Sequence, residues 1–337
     1  MYIKLRIFFK KLFYDNPLIW KGIEFLQGLV YVFDYFYYYK LWGHDKRFSV
    51  KEINIEFSSQ CNLRCKFCAL DHEKPKHSIT SEILEKFFVN FIEDKRFQQI
   101  EIINLHNGGE TLLHPKLGEM LGIIKKYKDL AKEKGLRFPK ISLLTNGMLL
   151  RERVSKLILD LDVIDTIGVS IDGGTPQVFE DFRVNAKWSK MYENVKTFHG
   201  LNEGKGHPTE MYSICCVSDE NPLGTEWMHP EFQEVLGLFD RYELRRFHSW
   251  GGEIDGIASR EKKHKIGCTM AMRQMVLLPN GDVTVCCNDL NSKGVVGNMM
   301  DKDFISVYKS QERQKYLTLL LKGQKSQLEL CKDCETF

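Results

Sequence analysis

Between residues 51 and 250 the hydrophobic positions repeat one arrangement: a short alternating run, a polar turn, then a longer run at helical spacing. Ile53, Asn54, Ile55, Glu56 and Phe57 alternate apolar and polar side chains, the period of a strand. Residues 81–94 read as a helix and residues 100–105 as the next strand. The same reading gives helix over 117–134, strand over 139–144, helix over 154–161 and strand over 166–171. It continues with helix over 190–199, strand over 211–217, helix over 232–239 and strand over 242–248. Six strands separated by helices predict a parallel α/β architecture, whose chemistry gathers at the C-terminal ends of the strands. Periodicity does not set whether the strands close into a full barrel.

The texture changes at both ends. After Gly251-Gly252, residues 274–278, the turn Pro279-Asn280-Gly281 and residues 282–285 read as a hairpin with a tight Asn-Gly turn. Residues 304–321 read as one helix, followed by Cys331-Lys332-Asp333-Cys334. At the start, Lys4, Arg6, Lys10, Lys11 and Lys21 are interspersed with Phe8, Phe9, Leu12, Phe13 and Trp20. The apolar stretch over 23–39 contains Glu24 and Asp34, which leaves no uninterrupted run of roughly twenty apolar residues for a membrane span. A helical layer packed on the main domain is the expectation, with peripheral contact at a membrane interface as the other reading of a basic, aromatic-rich helix. The chain thus divides into an extension over 1–48, a core over 49–250 and a small cysteine-rich region over 251–337.

Composition narrows the class. With 43% hydrophobic and 28% charged residues the chain is globular, and a net charge of +3 without a basic, aromatic-interleaved tract in its body argues against nucleic acid. Ten cysteines are many, and most lie in close groups with no secretory signal, which suggests metal or cluster ligation in a reducing, cytoplasmic setting.

Cys61, Cys65 and Cys68 fall directly after the first strand. Three thiolates on one loop reach three corners of a cubane cluster and leave one iron open to chelate a small molecule. Zinc would take a fourth ligand, with His72 and His77 nearby, and spacing alone does not separate the two metals. Position at the mouth of the first strand favours the cluster.

Cys-x3-Cys-x2-Cys, with Phe67 before the third cysteine, resembles the signature of the radical S-adenosylmethionine (SAM) superfamily, and the resemblance runs from about residue 51 to the C-terminus. Gly108-Gly109-Glu110 after the second strand is similar to the family's Gly-Gly-Glu turn, although Thr111 stands where Pro is usual. Thr145-Asn146-Gly147 and Ser170-Ile171-Asp172-Gly173 are similar to the family's turns after the third and fourth strands, and Arg183 matches its SAM-carboxylate arginine. Cys268, Cys286, Cys331 and Cys334, with Gly281 ahead of Cys286, resemble the auxiliary-cluster domain called Twitch, the short form of SPASM.

The resemblance implies a partial (β/α)6 TIM-like barrel with an N-terminal helical extension and a Twitch-like C-terminal domain. It implies a [4Fe–4S] cluster on Cys61, Cys65 and Cys68, with SAM held by Phe67, Gly108, Gly109, Glu110, Asn146, Ser170 and Arg183. One auxiliary [4Fe–4S] cluster is expected on Cys268, Cys286, Cys331 and Cys334. Reduced by a flavodoxin- or ferredoxin-type donor, such enzymes cleave SAM to a 5′-deoxyadenosyl radical that takes a hydrogen atom from substrate. Oxidation of a small hydroxylated or sugar-like compound is the expectation; epimerisation and peptide modification are the alternatives, and a zinc-stabilised binding protein or a redox-sensing regulator the non-catalytic ones. Cys215, Cys216 and Cys287 remain unassigned: small buried hydrophobes, or a hydrogen-atom donor if one faces the barrel.

Overall fold

The computed structural model describes residues 17–41, 47–250, 253–254 and 266–334. The basic segment holding Lys4, Arg6, Lys10 and Lys11 and the Gly251-Gly252 junction lie outside the described residues. The strands are β1 (Glu52–Ile55), β2 (Arg64–Cys65), β3 (Ile102–Asn104), β4 (Lys140–Thr145), β5 (Thr166–Ser170) and β6 (Arg183–Val184). They continue with β7 (Glu210–Val217), β8 (Arg241–Arg246), β9 (Gln274–Leu277), β10 (Asp282–Thr284) and β11 (Val295–Asn298). One sheet runs β11-β10-β9-β1-β3-β4-β5-β7-β8, with β8 and β11 at its open edges. From β9 to β8 all neighbours are parallel, so the six expected strands form a partial barrel.

Register divides the side chains between two faces. Asn54, Asn104, Ser142 and Thr166 lie abreast, as do Gly168 with Tyr212 and Cys216 with Arg245. Their neighbours along the strands (Ile53, Ile103, Ile141, Ile167, Met211, Cys215) belong to the apolar core shared with the helices. Strands of an α/β sheet covered on both faces read as continuous apolar runs. Here the alternation survives because the inner face is polar.

The floor of that face is closed by its own side chains. Asn104 donates to Asn54 at 3.0 Å and to Glu52 at 2.6 Å, and Gln274 donates to Glu52 at 2.8 Å. The ring of Tyr212 covers Gly168, where a Cβ would meet it at 2.3 Å.

Three expectations change. The hairpin β9–β10 continues the barrel sheet, because β9 pairs in parallel with β1 from Glu52↔Gln274 to Ile55↔Leu277. The helix expected over 304–321 is two, Phe304–Tyr308 and Gln311–Leu321, broken where the Ser310 hydroxyl accepts the Arg313 N–H at 3.1 Å and caps the second. The N-terminal helix, Pro17–Tyr35, is packed, but against Thr269–Arg273 and Gln311–Leu321 of the C-terminal region. Among the described residues no helix is long and apolar enough to cross a membrane.

Candidate functional site

The cysteine loop after β1 is fastened along its length. The Ser59 N–H donates to the His77 carbonyl at 2.9 Å, β2 pairs antiparallel with β6, and the Lys66 N–H reaches the Phe182 carbonyl at 2.9 Å. The two-residue ribbon β2–β6 sets Cys65 opposite Arg183, a long-range pairing too short for any periodicity to announce. Cys61, Cys65 and Cys68 are free and half-buried. Burial pushes the Cys61 thiol up to about 11 and that of Cys65 to about 12; at Cys65 the neighbouring thiols of Cys68 and Cys61 add to the rise and Arg183 opposes it. Thiolates so placed require cationic partners, which metal ions supply.

Gly108-Gly109-Glu110 packs against the same loop. A Cβ on Gly109 would stand 1.8 Å from the Ser58 carbonyl oxygen and 2.7 Å from that of Gln60. A Cβ on Gly108 would meet Glu56 Oε2 at 2.9 Å. The glycines thus serve a backbone-on-backbone approach within the chain. Glu110 is buried and already engaged: its N–H donates to the Gln60 carbonyl at 2.7 Å, and its carboxylate accepts from Thr145 Oγ1 at 2.8 Å, Asn146 N at 2.9 Å and Leu112 N at 3.1 Å. Burial raises its pKa against the pull of these donors. Asn146 in turn donates to Asn62 Oδ1 at 2.9 Å, tying the turn after β4 to the cysteine loop.

Arg183 is buried with a carboxylate partner from the chain itself, Asp172. Its Nε donates to Asp172 Oδ2 at 2.7 Å, and Nη2 contacts the same oxygen. Asp172 Oδ1 accepts the Cys216 N–H at 2.6 Å. The guanidinium lies 5.6 Å from the centre of the Phe67 ring, which packs at a tilt against Phe247, centroids 4.6 Å apart. Ser170 ends β5 beside these groups. All the site residues expected on the barrel therefore converge at the C-terminal ends of β1, β3, β4 and β5.

The second group converges as well. Burial pushes the Cys268 thiol to about 12, with Cys286 and Cys334 adding to it, and Cys331 is raised by burial and then by Cys268, Cys286 and Cys334. The Asn288 N–H points at Cys286 Sγ at 3.4 Å. The following segment reaches back to the first group: Asn291 Nδ2 donates to the Ala69 carbonyl at 2.8 Å, and Asn107 Nδ2 to the Asp289 carbonyl at 3.2 Å.

Sequence reasoning missed Glu56, Asn62 and Asp172 as working parts of the site. The signal for Glu56 was present, since Glu52, Asn54 and Glu56 share one face of a strand that a parallel sheet would otherwise make apolar. Of the unassigned cysteines, Cys215 lies in the core, whereas Cys216 is on the inner face, and the Cys287 N–H donates to Gln274 Oε1 at 3.1 Å.

Residues 55–207 match the model of the radical SAM superfamily, and residues 268–335 match that of SPASM, an iron–sulfur cluster-binding domain. The chain belongs to the radical SAM superfamily. A serine-type anaerobic sulfatase-maturating enzyme of Bacteroides thetaiotaomicron is 34% identical over 169 residues, 48% of this chain and 38% of that protein. The chain therefore spans well under half the length of this curated relative. The S-adenosyl-L-methionine-dependent 2-deoxy-scyllo-inosamine dehydrogenase of Niallia circulans is 22% identical over 293 residues, 86% of this chain and 94% of that protein. A solved structure of BtrN in complex with AdoMet and 2-DOIA superposes with a TM-score of 0.56 at 17% identity, covering 85% of this chain and 93% of that one, a likeness of fold.

Radical SAM proteins use a [4Fe–4S] cluster with SAM, and a SPASM region adds auxiliary iron–sulfur chemistry. The residues of this radical SAM protein fit those groups. Two sets of free thiols each gather closely enough to perturb one another. Among the described residues no three His, Cys, Asp or Glu side chains close on a single metal ion. Beside the Gly-Gly-Glu turn, His106 Nδ1 and Asn107 Oδ1 are buried without partners, polar atoms open to a ligand.

Proposed function

We propose that this chain removes a hydrogen atom from a small hydroxylated, sugar-like compound and oxidises the hydroxyl-bearing carbon. The observation that carries the reading is the inner face at the C-terminal end of the sheet. There Ser170 on β5, Cys216 on β7, and Glu243 and Arg245 on β8 share one face beside the Asp172–Arg183 pair. Arg245 donates to Glu243 Oε2 at 2.6 Å, so this face offers a hydroxyl, a thiol and two ion pairs, a polar lining that suits a hydroxylated substrate better than an apolar one. The end-to-end similarity to a dehydrogenase of an aminocyclitol supports the same choice, while the maturase is matched over only part of its length.

On this reading Cys61, Cys65 and Cys68 hold the first cluster, and Cys268, Cys286, Cys331 and Cys334 hold one auxiliary [4Fe–4S] cluster. Bound there, these groups and SAM supply reductive cleavage of SAM, hydrogen-atom removal and a sink for one electron. The protein's part is placement. Glu110, locked by Thr145, Asn146 and Leu112, presents a carboxylate already fixed in direction for the SAM ammonium. Arg183 meets Asp172 through Nε and Nη2, which leaves Nη1 for the SAM carboxylate. Ser170 ends β5 and Asn146 follows β4, so both stand at strand ends on the same side of the sheet as Glu110. Asn291, bonded to Ala69 directly after Cys68, keeps the two cysteine groups in neighbouring loops.

Glu110→Gln puts an amide N–H against donors that all point inward. It is expected to weaken SAM binding by about 1.5–3 kcal/mol, the scale of a hydrogen bond to a charged group. Equilibrium dialysis on cluster-replete, folded protein measures this, and unaltered affinity removes Glu110 from the SAM site.

Cys216 favours a second reading, because a thiol on the inner face is placed to return a hydrogen atom to the substrate carbon and invert it. Turnover in deuterated water separates the two. Oxidation yields a product lacking two hydrogens, one taken as an atom and one released as a proton, with no deuterium fixed at carbon. A product of unchanged composition, bearing one deuterium at an inverted carbon, replaces oxidation by epimerisation with Cys216 as donor.

A further inference from the structure

The N-terminal helix buries one side, where Tyr31 joins Ala271, Met272, Leu317, Leu320 and Leu328, and leaves a second apolar side outside. Its buried side carries polar anchors: Asp34 accepts from Arg273 Nε at 2.7 Å, the Tyr31 hydroxyl donates to the Leu317 carbonyl at 2.8 Å, and Tyr35 meets Thr318 Oγ1 at 3.2 Å. Its outward side carries Phe25, Leu26, Leu29, Val30, Phe33 and, just beyond, Phe36. Phe25 and Phe33 are 67% and 66% exposed, and seven of the twelve large exposed hydrophobics among the described residues fall between 25 and 41. Water is a poor solvent for such a stripe, and contiguous apolar patches of this kind mark interaction surfaces.

We propose that this face lies in the interface of an anionic lipid membrane, with the helix parallel to the surface. Charge selects this occupant. The sequence leading into the helix holds Lys4, Arg6, Lys10 and Lys11 against the single acid Asp15, and Lys40 and Arg47 follow it. Basic residues beside an apolar, aromatic helix face are the pattern of an interfacial helix on negatively charged lipid. A second copy of the chain is the poorer partner, since basic residues at both ends put like charges together in either direction of two-fold apposition. From Phe25 to Phe33 the stripe runs about 12 Å along the helix axis, over the turns that Tyr31 and Asp34 hold to the C-terminal region.

Flotation of the full-length protein with phosphatidylglycerol-containing vesicles tests this, and needs neither cluster nor SAM. The wild type is expected to float with these vesicles and to remain behind with pure phosphatidylcholine or at high salt. The triple variant F25E/L29E/F33E changes only solvent-facing side chains, so its unfolding temperature should hold while vesicle binding falls about tenfold or more. Wild-type protein that stays at the bottom of the gradient with anionic vesicles overturns the proposal. So does a wild-type dimer in analytical ultracentrifugation that the triple variant converts to monomer, which assigns the stripe to self-association.

Discussion

Replacing Cys61, Cys65 and Cys68 together by Ala is expected to abolish SAM cleavage while leaving a folded protein with about half its iron, since the two four-iron clusters proposed would each take their own set of thiolates. The fold survives because the loop is held by backbone bonds that do not involve sulfur: Ser59 to His77, β2 to β6 and Lys66 to Phe182. The second set, around Cys268 and Cys331, keeps its mutual geometry through the Cys334 N–H to Cys331 carbonyl bond and the helix Thr269–Arg273. Iron analysis, the visible spectrum and release of 5′-deoxyadenosine under reductant read the outcome together. Iron that falls to zero, or stays whole, removes the assignment of two separate clusters.

Asp172→Ala lowers stability by about 3–5 kcal/mol, the cost of leaving a buried charge without its partner. Arg183 is 6% exposed, so its charge is left poorly solvated when Asp172 is gone, and the Cys216 N–H loses its acceptor in the same step. The melting temperature is expected to drop on the order of 10 °C. Adding Arg183→Met removes the stranded charge and fills its volume, so the double variant regains part of the loss. SAM binding does not return, because the carboxylate partner proposed for SAM is then absent. An unchanged melting temperature in Asp172→Ala, or a double variant no more stable than the single, shows the pair to be dispensable to the fold.

Much of the molecule was legible in the sequence because the information is local. Each core strand is a short run of three to eight residues next to a helical stretch, and a parallel sheet follows from their order. The cysteine loop, Gly-Gly-Glu and Thr-Asn-Gly each occupy a strand end, where their residue types declare themselves. The family followed from those motifs in that order.

What the sequence left open depends on pairings between distant segments. Polar residues at 52, 54 and 56 gave a strand period, but only the register across six strands shows that this face is the interior. Arg183 read as a ligand for SAM, and its ion pair with Asp172 appears only when the β2–β6 ribbon and the turn after β5 are brought together. Cys215 and Cys216 are adjacent in sequence, and strand geometry sends the first into the core and the second to the inner face. The N-terminal helix showed its amphipathic pattern at once, yet a hydrophobic period cannot say which side is covered. That was decided by Asp34 and Tyr31 finding Arg273 and Leu317 more than two hundred residues away, which fixed their side inward and left the phenylalanines outside.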